Sequence, residues 1–493
     1  MIAAVSRQFP YPAYQGSSAT RPVAQAGSLR VDILAAVKPL RLEAGTPEPL
    51  LGRTGRTLSL LFPQAAPARR SRTAAICTGL ANTAAIALGA GVMLARQTGV
   101  PAWDTLIAED RSIFLPQALL HPWSSLRWPY AGYLELFPRL IADVSARLPL
   151  RDAAAGFAVA GALAASCTAV LVFHASSGHI RRPELRLLLA ASVLLLPTAF
   201  LTIANSGVNS PWYLLFGVFW ALLWRPRSRA GMAAAALICF AAASSTALAA
   251  LYAPLAAARV IALPRAREQA ATLGWLAGGI AQLPAVLTSS RSLQATTLAR
   301  ALAFYAREVV LAAVAGYHGA ELLRARAGLA GATAIAGCAV AAVVAWAIIR
   351  GGPRVRLLVV AGVALGLVLT LVPVLATGRV ASAPAVGTAI YVSGSRYAQV
   401  PILITYSWAI VAADALLQRS STGIGRAVHA MAAVLLVAVL LTVWVSDFRY
   451  ADGRSTARPW SQTVTSAERR CERYSLRSVQ IMKVRLACSR MNE

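Results

Sequence analysis

Apolar stretches of roughly twenty residues recur from residue 74 onward, each closed by arginine or proline, and that is the length a helix needs to cross a bilayer. They fall at about 74–96, 153–174, 187–204, 211–224, 230–243, 246–263, 271–288, 328–349, 357–376, 398–418 and 427–446. The pattern predicts an all-α, polytopic transmembrane helical bundle of about 11 spans. The stretch at 211–224 is short and leans on Trp212 and Trp224 at its ends, both suited to a membrane–water interface. Segment 298–323 is apolar but interrupted by Arg300, Arg307 and Glu308, so it reads as an interfacial or re-entrant helix and not as a twelfth span.

The polar positions orient the bundle. With the N-terminus inside, the short inner turns hold Arg181, Arg182 and Arg186; Arg225, Arg227 and Arg229; Arg259, Arg265 and Arg267; Arg350, Arg354 and Arg356; and Arg419 and Arg426. The short outer loops 205–210 and 244–245 hold none. Basic residues of short loops stay cytoplasmic, so the N-terminus is expected in the cytoplasm and, after an odd number of spans, the C-terminus outside the plasma membrane. Residues 1–72 read as a disordered cytoplasmic tail or a misassigned start, with no signal peptide. Residues 73–446 form the membrane domain with outer loops 97–152, 289–327 and 377–397, and 447–493 an extracytoplasmic tail.

Composition agrees: 57% of residues are hydrophobic, 13% are charged and mean hydropathy is +0.60. Soluble proteins carry about a quarter charged residues, so a soluble enzyme, a secreted disulfide scaffold and a disordered chain are excluded. The net charge of +28 invites a nucleic-acid reading, yet Lys38 and Lys483 are the only lysines, which points to GC-rich coding. Many arginines also sit where topology alone places them, so no nucleic-acid partner is expected. Cys77, Cys167, Cys239 and Cys338 lie within apolar spans as small core residues, whereas Cys471 and Cys488 lie in the polar tail. In an oxidising exterior those two are expected to form a disulfide.

Chemistry concentrates in the first outer loop, which holds six of the nineteen acidic residues: Asp104, Glu109, Asp110, Glu135, Asp143 and Asp152. The pair Glu109-Asp110, with Asp104 before it, can share a proton, accept one from a sugar hydroxyl or hold a divalent cation. A solvated start to an acidic loop is the plainer alternative. The following run, with Phe114, Trp123, Trp128, Tyr130, Tyr133 and Phe137, offers stacking faces for sugars or an interfacial anchor. Arg139 is placed to hold a phosphate or to pair with Asp143 one turn on. Asn205 and Asn209 either bond a sugar or cap spans, and Asp414 either relays protons or pairs with Arg419. The five histidines (121, 174, 179, 318 and 429) form no HExxH or Cys/His cluster, so no metal site of that type is predicted, and no Walker loop occurs.

The strings AEDRSIFLPQAL and PYAGYLELFPRLIA between Trp103 and the residues after Arg139 resemble the first outer loop of a bacterial family of multi-span glycosyltransferases. Those enzymes belong to the GT-C superfamily and use polyprenyl-phosphate-linked sugars. Asn209-Ser210-Pro211-Trp212-Tyr213-Leu214, the stretch from Gly394-Ser395-Arg396-Tyr397 to Pro401, and the tail SDFRYADGRSTARPWSQTVTSAERRC are similar to the same family, about a fifth of the chain in patches. The resemblance implies a GT-C-like fold with a helical first outer loop. It also implies an inverting transfer from a polyprenyl-phosphate donor to an envelope glycan, lipid or protein at the outer face of the plasma membrane. It makes Asp110, or else Glu109, the general base, although Arg111 departs from the small residue expected after the pair. Arg396, Arg139 and Arg307 would bind the donor phosphate, with Asp104, Tyr130, Tyr133, Asn209, Trp212 and Tyr397 around sugar and acceptor. No cofactor is required by it, and a divalent cation at the acidic pair stays open. A transporter or flippase of envelope lipid precursors, or a non-catalytic membrane subunit, are the competing expectations.

Overall fold

A computed structural model describes residues 50–64, 71–199, 203–289, 296–377, 396–418, 423–449, 454–482 and 484–491. Residues 1–49 of the expected tail, most of the loop expected at 377–397, and Arg419 lie outside the described residues. The fold is almost entirely helical: α1 (Leu50–Ser59), α2 (Arg72–Ala95), α3 (Leu115–Leu120), α4 (Leu136–Ser145), α5 (Ala153–Ala175), α6 (Pro183–Leu194), α7 (Ser210–Leu223), α8 (Arg229–Ala243), α9 (Ala253–Ala262), α10 (Ala270–Leu287), α11 (Leu298–Phe304), α12 (Ala312–Arg350), α13 (Pro353–Thr377), α14 (Arg396–Gln418), α15 (Ile424–Ser446) and α16 (Trp460–Arg473). A hairpin of β1 (Ser478–Ile481) and β2 (Val484–Ala487) is the only sheet among the described residues.

Seven helices among the described residues are long and apolar enough to cross a membrane: α2, α5, α10, the run through α11 and α12, α13, α14 and α15. The chain is thus a membrane-embedded, multi-pass protein. The other apolar stretches form shorter helices, and in two of them proline supplies the reason. α6 stops at Leu194, short of the stretch expected to reach 204, because Pro197 disfavours helical geometry in the residue before it. The stretch 246–263 begins as a 3₁₀ helix, Ala247–Tyr252, and becomes α-helical only at α9, whose first turn contains Pro254.

α14 is the central helix, with 83% of its apolar window buried against 17% for α2. Its polar atoms stay satisfied in the interior: Trp220 donates from Nε1 to Ser407 Oγ at 3.1 Å, and Tyr406 donates from its hydroxyl to the Ala313 carbonyl at 3.1 Å. Gly274 and Gly278 of α10 lie one turn apart against the backbone of Ala236 and Phe240 in α8, the close approach that small residues permit.

The segment 298–323 does not sit apart from the bundle. α11 passes through a π-helical turn, Tyr305–Leu311, into α12, and Ala301, Phe304, Glu308, Val309 and Leu311 are all buried. The breaks come at Gly316 (φ 65°) and Gly328 (φ 69°). At the first of these the helix restarts under a carboxylate: Asp447, just beyond α15, accepts from the amides of Tyr317 and His318 and, at 2.8 Å, from His318 Nδ1. That is an N-cap supplied from another helix.

At one end of the bundle the arginine-rich turns fold inward. Asp414 accepts from the Arg181 amide at 2.9 Å, Arg225 pairs with Glu268 at 2.6 Å, and Arg259 donates from Nε to the Glu268 carbonyl at 3.0 Å. Leu61 and Phe62 are buried in this end, and Arg225 donates to the Phe62 carbonyl. Within the stretch read as a tail, Leu50–Ser59 is helical, and the apolar run Leu60-Leu61-Phe62-Pro63 is too short to announce itself as periodicity.

The opposite end carries a lobe built from two distant segments. Phe114, Leu115, Ile141 and Phe157 share one core with Trp460, Val464, Ile481 and Leu486. α16 supplies that core through Trp460, Val464, Ala467 and Cys471, spaced at helical period on one face. Trp460 donates from Nε1 to the Leu150 carbonyl at 2.7 Å, and Cys471 is disulfide-bonded to Cys488. Arg96 closes the base of the lobe, donating to the carbonyls of Leu194, Leu196, Asp447 and Phe448 and so satisfying the end of α6.

Candidate functional site

Three of the six acidic side chains between residues 104 and 152 are committed to backbone amides. Asp110 is 2% exposed and accepts from Ser206 Oγ at 2.9 Å, the Gly207 amide at 3.1 Å and the Val208 amide at 2.8 Å. Burial pushes its carboxyl up to about 6, against the pull of those donors and of nearby Arg454. Asp104 accepts from the Ser461 amide and hydroxyl, both at 2.7 Å, and anchors the first turn of α16. Asp143 accepts from the Trp123 amide at 2.8 Å and Ser125 Oγ at 3.0 Å. The pairing of Arg139 with Asp143 expected from helical spacing does not form as a salt bridge, because Asp143 serves that loop and its ion-pair neighbour is Arg147 at 3.9 Å.

Glu109 and Glu135 are different. Glu109 precedes the π-helical turn Asp110–Phe114, is partly exposed and makes no hydrogen bond or salt bridge to a described residue. Glu135 follows a two-residue turn in which Ala131 (φ 51°) and Gly132 (φ 84°) bring Tyr130 and Tyr133 into mutual backbone hydrogen bonds of 2.7 and 2.9 Å. It is itself left-handed at φ 53° and stands at the N-terminus of α4. Its Oε2 is buried without a hydrogen-bond partner.

Two arginines lie beside these acids. Arg139, one turn along α4, is 1% exposed, donates to the Leu134 carbonyl at 3.2 Å and to Gln117 Oε1 at 2.9 Å, and lies 5.1 Å from the Phe114 ring centre. Its Nη2 is buried without a hydrogen-bond partner. Arg396, the first residue of α14, interacts electrostatically with both Glu109 and Glu135. Burial drives the Glu135 carboxyl up to about 8, although Arg396 and Arg139 both favour its ionised form; Glu109 opposes it. Burial also lowers the Arg139 guanidinium to about 10.

The remaining residues named from the sequence divide into two groups. Tyr397 is next to Arg396, packs edge-to-face on Trp212 at 5.5 Å, and joins Phe304 in a small apolar cluster. Tyr130 packs edge-to-face on Phe114 at 5.5 Å, so it adjoins Arg139, while Tyr133 completes the turn before Glu135. Asn209 instead donates to Ser206 Oγ at 3.2 Å in the loop that holds Asp110. Arg307 is engaged with Glu308 at 3.0 Å within its own π-helical turn. Asp414 lies at the opposite end, bound to the Arg181 and Arg182 amides. No group of three or more His, Cys, Asp or Glu among the described residues is arranged to hold a metal ion.

Glu135 and Gln117 are site residues that the sequence reading does not single out. The spacing of Glu135 to Arg139, a full helical turn directly after a Tyr-Ala-Gly-Tyr turn, is the signal that marks them as neighbours. No family model, curated protein or solved structure matches the chain.

Proposed function

We propose that the protein is an inverting glycosyltransferase, moving a sugar from a polyprenyl-phosphate donor to a cell-envelope acceptor at the outer face of the plasma membrane. The observation that carries this reading is the electrostatic interaction of Arg396 with Glu109 and Glu135, and of Arg139 with Glu135, neither glutamate being bound to backbone through its carboxyl. A carboxylate and a pair of guanidiniums are what displacement of a phosphate from an anomeric carbon needs.

In this scheme the acceptor oxygen attacks the anomeric carbon from the face opposite the phosphate. The carbon–oxygen bond to phosphate breaks, its electron pair leaves with the lipid phosphate, and the hydroxyl proton passes to Glu109. Arg396 and Arg139 stabilise the charge on the departing phosphate. Trp212 and Tyr397 beside Arg396, and Tyr130 on the Phe114 ring, offer aromatic faces for a sugar or isoprenoid. The base falls on Glu109 and not on Asp110, whose two oxygens are occupied by the 206–208 loop. The finer topology belongs to the same proposal: a GT-C-like bundle of about 11 spans, arginine-rich end in the cytoplasm and lobe outside.

The test uses membrane vesicles with the outer face accessible and radiolabelled polyprenyl-phosphate sugars. Wild type transfers label into envelope material, while Arg396→Ala lowers transfer at least about 100-fold, the scale of losing one transition-state donor. Equal labelling in vesicles lacking the protein, across the available donors, contradicts the reading and moves transport of a lipid precursor ahead.

A further inference from the structure

Glu135 has no role in the displacement above, yet it interacts electrostatically with both cations and keeps a buried oxygen that nothing bonds. One helical turn away, Arg139 keeps a buried Nη2 that nothing bonds either. Buried polar groups are ordinarily paired, and two unpaired groups one helical turn apart and of opposite charge type mark a place where a ligand completes the hydrogen bonding. The groups that face Glu135 come from three elements: Arg139 on its own helix, Glu109 from the loop before the π-helical turn, and Arg396 from the start of α14. Arg396 in turn contacts Tyr397, and Arg139 lies near Asp143, whose carboxylate is held by the Trp123 amide and Ser125.

We propose that Glu135, Arg139 and Arg396 form one anion-binding pocket for a lipid phosphodiester, in which Glu135 is protonated and donates its hydrogen to a phosphate oxygen. An ionised Glu135 would present its negative charge to the anion. A neutral one turns the orphan oxygen into a donor. With Glu135 neutral and Glu109 ionised, the two arginines leave a single positive charge, which matches the single negative charge of a phosphodiester. With both acids ionised the pocket has no net charge to offer. Burial in this setting keeps the Glu135 proton on up to about pH 8, and Arg139 stays charged to about pH 10, so between these values the pocket changes at Glu135. Binding of the phosphodiester is therefore linked to proton retention, and its affinity falls as pH rises through about 8.

The proposal rests on the reading of the site as one that takes a lipid phosphate, but its test needs no sugar transfer. Purified full-length protein in phospholipid-free detergent is titrated with methyl decyl phosphate, a phosphodiester whose charge does not change over the range, between pH 6.5 and 9. Wild type is expected to bind with constant affinity below about pH 7 and about tenfold more weakly at pH 9. Glu135→Gln, whose amide also donates, keeps the pH 7 affinity within about threefold and loses the pH dependence. Arg396→Ala abolishes binding. Competition by phosphatidylglycerol or by a polyprenyl phosphodiester tells whether the pocket takes a bilayer headgroup or an isoprenoid carrier, and displacement by either supports the pocket. Wild-type affinity that is flat to pH 9, or absence of binding, overturns it even if Glu135→Gln does not fold. Binding as described without any transfer in vesicles leaves the pocket standing and removes the glycosyltransferase reading.

Discussion

Glu109 and Asp110 are neighbours in sequence and opposites in structure. Asp110 is turned inward at the start of a π-helical turn and grips the 206–208 loop through three donors, whereas the Glu109 carboxyl makes no such bond and interacts electrostatically with Arg396. Replacing Asp110 by Asn puts an amide hydrogen where a backbone N–H already points. A loss of about 1–3 kcal/mol in stability is expected, measured as a lower melting temperature in detergent. Burial raises the Asp110 carboxyl to about 6 from its ordinary 3.8, so the folded protein holds this proton more tightly than the unfolded chain. Its titration thus adds stability below the ordinary value, and that stability is lost as pH rises through about 6. Acidification from pH 7 to pH 5 should shift the melting difference between wild type and Asp110→Asn in favour of wild type. A difference that does not move with pH contradicts the buried, loop-holding role. Sequence spacing identified this acidic pair but not which member turns inward, because that depends on a loop nearly a hundred residues away.

Among the elements, the long α12 is the least regular, and its break is a device of two residues. Gly316 has φ 65°, which side chains other than glycine adopt with strain, and a Cβ there would collide with Asp447. Gly316→Ala is expected to cost at least about 1 kcal/mol. Asp447→Ala, which uncaps the restarted helix, costs about 0.5–2 kcal/mol. Thermal melts of the two variants check both values; wild-type stability in either would show that the break is not held by this cap. Apolar periodicity marked where helices lie, because a span must be apolar over its whole length. It did not mark where they break, since Gly316 lies in an alanine-rich run that reads as continuous helix. Pro197 and Pro254 were visible in the sequence, but their effects, an early stop to α6 and a 3₁₀ start before α9, are local and leave the overall hydropathy unchanged.

For the whole molecule, the first loop and the C-terminal tail form one lobe, although more than 300 residues separate Asp104 from Ser461. The sequence showed two polar segments and two tail cysteines; their shared core rests on contacts between distant parts of the chain, for which a single sequence carries no periodic signal. The Cys471–Cys488 bond closes a span of 17 residues, worth about 3 kcal/mol to a folded segment of this size. Cys471→Ser combined with Cys488→Ser should make residues 454–491 sensitive to limited proteolysis while the apolar bundle stays resistant. Equal cleavage of both regions would show that the lobe does not unfold by itself.

The assignment of Glu109 as base and Asp110 as loop anchor is tested most directly by measuring sugar transfer and melting temperature together in Glu109→Gln and Asp110→Asn at matched expression. The account predicts that Glu109→Gln melts like wild type and loses at least about 100-fold in transfer, the scale of removing a general base. It predicts that Asp110→Asn melts lower and, at a temperature where it remains folded, transfers within about tenfold of wild type. Full transfer by Glu109→Gln, or its loss in an Asp110→Asn protein of wild-type stability, would contradict it.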